Sequence, residues 1–420
     1  MPKIMPQKPA ASWSSSAGWG LAILSFINLF NYLDRFLVPA LFESLKRSEL
    51  RLSDTELGLL MTSFLIVYTL TAPVFGALGD RFARPRLIAF GVACWSVATS
   101  LAGFAGSFGA LLAARASVGV GEAAYGTIAP SLLSDYFPAD KRARVMAVFF
   151  CAIPVGSALG YVIGGFMDVH FGWRMAFFVA GAPGLLLALV TLWMRDPPRG
   201  AQDADCSPPP GGDQGTQLRA TYLRLLANRP YVFTVLGYAA YTFAIGGLAA
   251  WMPAFLERIR GMPHGEATMN FGYIVVVTGI IGTFAGGMLG DYCAKYSKRA
   301  YLWMSAAATV AAAPFVWFAL TVASTTGYLV CMVIAQLLMF LSTGPINACI
   351  VNLVRPGERA TAVALSVFAI HLLGDVPSPY LIGAISDASS LARAVKIVPV
   401  AVVVSGALWV WAAREQAAAQ

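Results

Sequence analysis

Twelve long apolar stretches divide this chain, and no other feature limits its fold so severely. They fall at about 19–42, 56–79, 87–106, 109–136, 143–167 and 173–194, then at about 230–256, 268–290, 300–322, 327–354, 360–385 and 394–413. A hydrocarbon layer about 30 Å thick is spanned by roughly 20 apolar residues in a helix. Lipid offers backbone groups no hydrogen bonds, so such stretches must be helical. The composition agrees. Of 420 residues 58% are hydrophobic and only 12% charged, with a mean hydropathy of +0.68, where soluble domains carry roughly 25% charged residues. That argues against a soluble enzyme, a nucleic-acid binder and a disulfide scaffold. Five of the six cysteines lie in apolar stretches, without metal-ligand or redox spacing, and read as small packing residues. The first run passes from near Trp19 through Asp34 to Leu41 without a convincing small-residue cleavage site, so it reads as a membrane helix rather than a signal peptide.

The stretches group as six plus six around one polar segment. The expected organisation is a tail at 1–18, a six-helix bundle at 19–195, a linker at 196–229, a second bundle at 230–414 and a tail at 415–420. The linker carries Pro208 to Pro210 and Gly211-Gly212, a composition typical of disorder. With the N-terminus inside, the inner segments hold 19 of the 29 Lys and Arg and the outer segments 8. The positive-inside bias therefore puts both termini and the linker in the cytoplasm. The formal charge of +8 is topological and implies no nucleic-acid partner.

The halves repeat each other. Gly76-Ala-Leu-Gly-Asp80-Arg81, with Arg84 and Arg86 beyond, recurs as Gly287-Met-Leu-Gly-Asp291, with Lys295, Lys298 and Arg299 beyond. Tyr161-Val-Ile-Gly-Gly-Phe-Met-Asp168 recurs as Tyr380-Leu-Ile-Gly-Ala-Ile-Ser-Asp387, and Pro138 with Lys141-Arg142-Ala143 as Pro356 with Glu358-Arg359-Ala360. Three matches in order, at nearly one offset, define an internal duplication. Six crossings per half make the repeat parallel, and transporters built this way bind substrate at the midplane between halves. The fold expected is an all-α membrane protein of twelve transmembrane helices, two six-helix bundles related by a parallel pseudo-two-fold.

The Gly-x-x-x-Asp-Arg loop, its echo and the 6+6 layout resemble the major facilitator superfamily. Asn31-Tyr-Leu-Asp34-Arg35, Arg115-Ala-Ser-Val-Gly-Val-Gly-Glu122-Ala-Ala-Tyr125, Thr127-Ile-Ala-Pro130, Gly247-Leu-Ala-Ala-Trp251-Met-Pro253-Ala-Phe255-Leu and His371-Leu-Leu-Gly-Asp375-Val-Pro377-Ser-Pro379 resemble its Spinster branch. That resemblance implies proton-linked transport of amphipathic lipids such as lysophospholipids or phosphorylated sphingoid bases. Tyr161 follows Gly156-x-x-x-Gly160 where the antiporters of the superfamily usually carry proline, so symport and antiport both stay open.

Charges inside membrane helices cost about 2.5–3.5 kcal/mol each at a helix centre, so Asp34, Arg35, Arg115, Glu122, Asp375 and the nearby His371 need partners or a wet cavity. Arg115 and Glu122 share a helix face, two turns or roughly 10.5 Å apart. Arg35 is expected to pair with Glu122, and Asp34 with Arg115 or a cytosol-side group. Three carboxylates against two arginines leave one to exchange protons near neutral pH, as a proton-coupled carrier requires. A static ion network that fixes helix packing is the competing reading. Asp80 and Asp291 are expected to latch the cytoplasmic side by meeting helix N-termini of the opposite half, near Glu358–Ala360 and Arg142, with Arg84 on carboxylates or lipid headgroups. Gly156, Gly160 and Gly164 read as close helix contact.

Arg35 and Glu122 are expected to touch substrate, with Thr343 and Asn347 from the tenth helix. Tyr125, Trp251, Met252 and Phe255 are candidates for an apolar half, with ordinary core packing the competing reading. Such a site suits a molecule with a charged head and a hydrocarbon tail. The expected partners are that substrate and the lipid bilayer, in a monomer of the cytoplasmic membrane, with protons as coupling ion and no other cofactor. The rival substrate class is small organic anions such as sugar acids. A receptor or intramembrane enzyme is disfavoured, since no Ser/His/Asp or metal-ligand constellation appears.

Overall fold

A computed structural model of the chain describes residues 15–202, 214–297, 299–355 and 358–418. Lys3, Lys8, Cys206, Pro208 to Gly212, Lys298 and Pro356 lie outside the described residues. The first half comprises α1 (Ser15–Ala40), α2 (Phe42–Arg47), α3 (Asp54–Arg81), α4 (Arg84–Ala102), α5 (Phe108–Tyr136), α6 (Ala139–Phe171) and α7 (Trp173–Thr191). After α8 (Gln214–Ala227) come α9 (Arg229–Arg258), α10 (Glu266–Ala294), α11 (Ala300–Thr321), α12 (Thr325–Phe340) and α13 (Thr343–Asn352). The chain ends with α14 (Arg359–Ile370), a π-turn (His371–Asp375), α15 (Pro377–Ala388), α16 (Leu391–Ala394) and α17 (Ile397–Ala418). Among the described residues, eleven segments are long and apolar enough to cross a membrane, α12 with α13, α14 with α15 and α16 with α17 each counting as one. The remaining crossing, α5, is 29 residues long. It carries Arg115 and Glu122 among glycines, so it is less apolar than the other eleven, although its run at 109–136 is legible in the sequence. Twelve crossings put both ends of the described chain on one face, called here the terminus face; the opposite one is the far face.

Several helices overrun their apolar stretches by about a turn, as α6 and α10 do, because charged ends reach past the hydrocarbon. Two of the expected helices are interrupted. The tenth crossing breaks at Leu341–Ser342 between α12 and α13, and the eleventh contains the π-turn, where the Val376 amide reaches back to the His371 carbonyl at 3.1 Å. The cause of the second is local. Pro377 has no amide to donate, and Gly374 is pressed so tightly on α9 that a Cβ there would lie 2.0 Å from Thr242 Oγ1. Part of the segment read as a linker folds as α8. Its Leu225 is buried, and Arg224 donates to Glu358 at 2.7 Å, so packing orders a sequence whose composition alone suggested disorder.

Arg84 ties the terminus face of the first bundle together. Fully buried, it donates to Asp135 at the end of α5, to Asp196 at 2.9 Å and to the Pro197 carbonyl at 2.6 Å. Arg199 caps the end of α3 through the carbonyls of Gly79 and Phe82. Arg84 therefore meets carboxylates, the first of its two expected kinds of partner, within one bundle rather than between the halves.

Close helix contact follows the glycines. A Cβ at Gly156 or Gly160 would lie 2.5 Å from the Leu29 or Leu33 carbonyl oxygen, so α6 lies backbone to backbone on α1. Between bundles, α15 meets α3 just as closely: a Cβ at Gly383 would lie 2.2 Å from the Asp54 carbonyl oxygen. Gly383→Ala should therefore cost the arrangement joined at the far face about 1–3 kcal/mol. Spin-label distances between the far ends of α3 and α15 should lengthen; an unchanged distribution would mean that the backbone absorbs the methyl.

Candidate functional site

The site grows from one turn of α1. Asp34 and Arg35 are neighbours about 100° apart on the helix, so they serve different partners. Arg35 Nε donates to Glu122 Oε2 at 2.6 Å, with Glu122 wholly buried. Asp34 accepts from Thr99 Oγ1 at 2.9 Å and lies 3.4 Å from Arg115 Nη1, again out of solvent. Two ion pairs thus span α1 and α5, with α4 contributing the hydroxyl.

Aromatic rings complete the setting. The Arg35 guanidinium sits 5.0 Å from the Tyr32 ring centroid, 5.2 Å from Phe64 and 4.8 Å from Tyr68. Arg115 lies 5.3 Å from Phe64. Such contacts contribute about 0.5–2 kcal/mol each, more as water is excluded. Sequence reasoning missed this cage. Tyr32 stands inside the motif that was read for its charges, while Phe64 and Tyr68 lie on α3 in an otherwise ordinary apolar run.

Across the bundle interface the π-turn presents a second acid. His371 Nδ1 lies 2.9 Å from Asp375 Oδ2, so Asp375 takes the imidazole as partner. Tyr68 packs edge-on against His371 with centroids 6.3 Å apart. One tyrosine thereby touches both the Arg35 cluster in the first bundle and the His371–Asp375 pair in the second. Nearby Asn347 donates to Tyr238 Oη at 3.1 Å, and Thr343 lies 3.3 Å from Tyr241 Oη, giving the second bundle a polar strip.

An apolar pocket of about 120 Å³ lies between the bundles. Phe36, the residue after Arg35, lines it with Tyr161, Leu248, Phe271, Val275 and Phe340. The aromatic residues singled out from sequence are elsewhere. Trp251 and Phe255 are fully buried; the Trp251 indole donates to the Pro379 carbonyl at 3.0 Å and meets Phe42 edge-on at 5.0 Å. Met252 is buried beside them. Tyr125 is buried in the first bundle with its hydroxyl on the Leu24 carbonyl at 2.6 Å. None of them lines this pocket; they are packed in the core, where Trp251 and Tyr125 also have their polar ends satisfied by backbone.

At the terminus face Asp80 is exposed at the end of α3, and Asp291 accepts from Tyr301 of its own bundle at 2.8 Å. Glu358, at the helix start near which Asp80 is expected to dock, pairs with Arg224. Among the described residues no cluster of His, Cys, Asp and Glu could hold a metal ion.

Residues 24–379 match the Major Facilitator Superfamily. The chain is 34% identical over 403 residues to protein spinster of Drosophila melanogaster, covering 92% of this chain and 66% of that one. It is 36% identical over 382 residues to protein spinster homolog 1 of Xenopus laevis, covering 87% and 72%. Among solved structures, a bacterial homolog to the human lysosomal transporter Spinster, inward-facing and unoccupied, superposes with a TM-score of 0.85 over 96% of this chain and 98% of that one, at 24% identity. A D-xylose-proton symporter shares the fold at 17% identity, with a TM-score of 0.74 over 95% and 97%.

Removing one partner of a buried ion pair typically costs about 3–5 kcal/mol, because the other charge is stranded. Arg35→Ala should therefore lower the unfolding free energy in detergent by that order. Adding Glu122→Gln should recover most of the loss, since a neutral amide strands nothing. If the double variant is no more stable than Arg35→Ala, the aromatic cage rather than the ion pair dominates.

Proposed function

Since this chain belongs to the major facilitator superfamily and, within it, to the Spinster family, it is a multi-pass membrane transporter and not an enzyme, and we propose that it carries amphipathic anionic lipids by alternating access coupled to protons. The observation that carries this reading is the adjacency of Arg35 and Phe36. The first faces a carboxylate within an aromatic cage; the second lines an apolar pocket between the bundles. A phosphate or carboxylate head competes with Glu122 for the Arg35 guanidinium, while the start of a hydrocarbon tail enters beside Phe36. A pocket of about 120 Å³ holds part of a tail, so the rest must run along the interface.

The proton enters the same exchange. When an anionic head takes Arg35, Glu122 loses its cation, and a buried carboxylate without a partner is neutralised by proton uptake. Asp34, paired less closely with Arg115, is the alternative carrier, and coupled groups need not titrate singly. His371 and Asp375 face the same tyrosine from the other bundle and relay the change across the interface. Both termini and α8 face the cytoplasm in this reading, following the excess of basic residues in those segments, and the membrane is the cytoplasmic one. Asp80 and Asp291 engage the opposite bundle only when the terminus face shuts. The polar strip of Tyr238, Thr343 and Asn347 supports a second reading, transport of small organic anions such as sugar acids.

The test is uptake into proteoliposomes of a lysophospholipid and, in parallel, a sugar acid, with and without a pH gradient. Lipid movement that follows the gradient supports the first reading, and sugar-acid movement alone the second. Glu122→Gln and Asp34→Asn should each flatten the pH dependence of uptake while the protein still elutes and melts as a folded monomer. Unchanged pH dependence in both variants would move the proton to His371 and Asp375.

A further inference from the structure

Two of the repeated aspartates play no part in the transport reading. Asp168 ends the motif that begins at Tyr161, and Asp387 ends its duplicate that begins at Tyr380. Both sit at the far face, at the ends of α6 and α15, and both reach toward the start of a helix in the opposite bundle.

Asp387 makes a helix cap in trans. Its oxygens accept from the Asp54 amide at 3.0 Å, the Thr55 amide at 2.7 Å and the Thr55 hydroxyl at 2.6 Å. A carboxylate on the first free amides of a helix is favoured by the hydrogen bonds and by the helix dipole. Here the capped helix, α3, belongs to the other half of the molecule. Ser386 adds a bond to Asp54 Oδ2 at 2.5 Å.

Asp168 occupies the equivalent place opposite α10, but the group it meets is His264, two residues before that helix. His264 Nε2 lies 3.1 Å from Asp168 Oδ2 and 3.2 Å from Ser44 Oγ; Nδ1 lies 3.1 Å from both oxygens of Glu257. Ser44 itself donates to Asp168 at 2.5 Å. A carboxylate thus stands at each ring nitrogen. A neutral imidazole has one N–H and would turn a lone pair on one of them; only the imidazolium donates to both.

The geometry points to two pseudo-symmetric clasps that shut the far face between bundles: Asp387 on the first turn of α3, and Asp168 on a doubly protonated His264. The proposal is separate from the proton-coupled reading, because it concerns a different face and different residues. Other charges surround the second clasp. Arg47 holds Glu257 at 2.7 Å, while Arg258 joins Glu43 at 2.5 Å to Asp54 at 2.6 Å, and Lys46 also reaches Asp54 at 2.5 Å. Of the groups in direct contact with the ring, two are acids and one is a hydroxyl, so its proton is held firmly. Hydrogen bonds to Asp168 and then Glu257 raise His264 from its ordinary value to about 10, against a smaller opposing effect of burial.

The sign of the pH effect follows. With the clasp apart, His264 keeps Glu257 of its own bundle but loses Asp168, the larger of the two effects, so its pKa lies below the closed value of about 10. Proton binding therefore favours closure of the far face. The contribution is complete where the ring is protonated in both states and fades as pH rises toward 10.

The experiment places spin labels at exposed Phe171 and Ser389, one on each bundle, in a background without native cysteines, and follows their distance from pH 5.5 to 10.5. The expected result is a short-distance population that declines across this window. His264→Gln should remove the decline and lower the short population severalfold at pH 6, and Asp168→Asn should do the same. Asp387→Ala should lower the short population by roughly three- to tenfold yet keep the decline. The decline should also survive in Glu122→Gln, which separates this clasp from the proton site within the bundle. A decline retained in both His264→Gln and Asp168→Asn would overturn the histidine clasp, and an unaltered population in Asp387→Ala would overturn the cap. Should His264→Gln fail to fold, Asp168→Asn decides alone.

Discussion

Arg35 bound to Glu122 at 2.6 Å in the interior of the first bundle is the contact around which the site is arranged. Glu122 lies on a helix that must cross lipid, and it has no exposure at all. An isolated charge there would cost several kcal/mol even after relaxation. The partner must come from another helix, since Arg115 on the same helix is two turns away. This requirement brings α1 against α5 and turns Arg35 inward. The aromatic cage then follows, because a guanidinium with one acceptor still offers a face that rings can cover. Well-packed apolar residues would stabilise the same position as well or better. On the proposed reading, a carrier gains something else from the pair: a cation that an anionic ligand can take over.

Much of this was legible in the sequence. The twelve crossings follow from run lengths, and the duplication from three motif pairs. The ion pairs follow from counting charges in apolar runs and asking which lie on different helices. Less visible was anything that depends on how a side chain packs. Trp251 and Phe255 belong to the same kind of motif as Arg35, yet they are sealed in the core, because burial depends on neighbours that periodicity does not name. Tyr68 shows the converse. On α3 it looks like one more apolar residue, and only the approach of the two bundles makes it the contact between Arg35 and His371. The π-turn was half visible, through Gly374 and Pro377, but the contact with Thr242 that holds it open belongs to a helix more than 120 residues earlier in the chain.

The duplication also explains why the two faces of the molecule look alike in plan and different in state. Each half carries an aspartate at the terminus face, Asp80 or Asp291, and another at the far face, Asp168 or Asp387. At the far face both are engaged across the interface. At the terminus face Asp80 is exposed and Asp291 bonds within its own bundle. On the proposed alternating-access reading, a rocking pair of rigid bundles cannot satisfy both sets together, and the contacts made on one face would be given up on the other. The histidine breaks the symmetry. Where Asp387 uses backbone amides, whose charge is fixed, Asp168 uses a ring whose charge depends on pH.

The path from the far face to the buried pair is short. α1 carries Arg35 within two turns of its far end at Ala40, and after Leu41 the chain enters α2 at once. In α2, Glu43 is held by Arg258, Ser44 lies on His264, and Arg47 reaches Glu257, all of them groups of the second bundle. Phe42 is wedged against Trp251 with centroids 5.0 Å apart. Separation of the bundles at this face therefore pulls on α2, and through a connection of one residue on the segment of α1 that positions Asp34 and Arg35. Gly156, Gly160 and Gly164 of α6 hold α1 in close contact with its own bundle from Leu29 to Ala40, so the turns that carry Arg35 move with that bundle. Those turns carry the guanidinium that neutralises Glu122. The far-face contacts of α2 and the Arg35–Glu122 pair are thus carried on one continuous end of the first bundle.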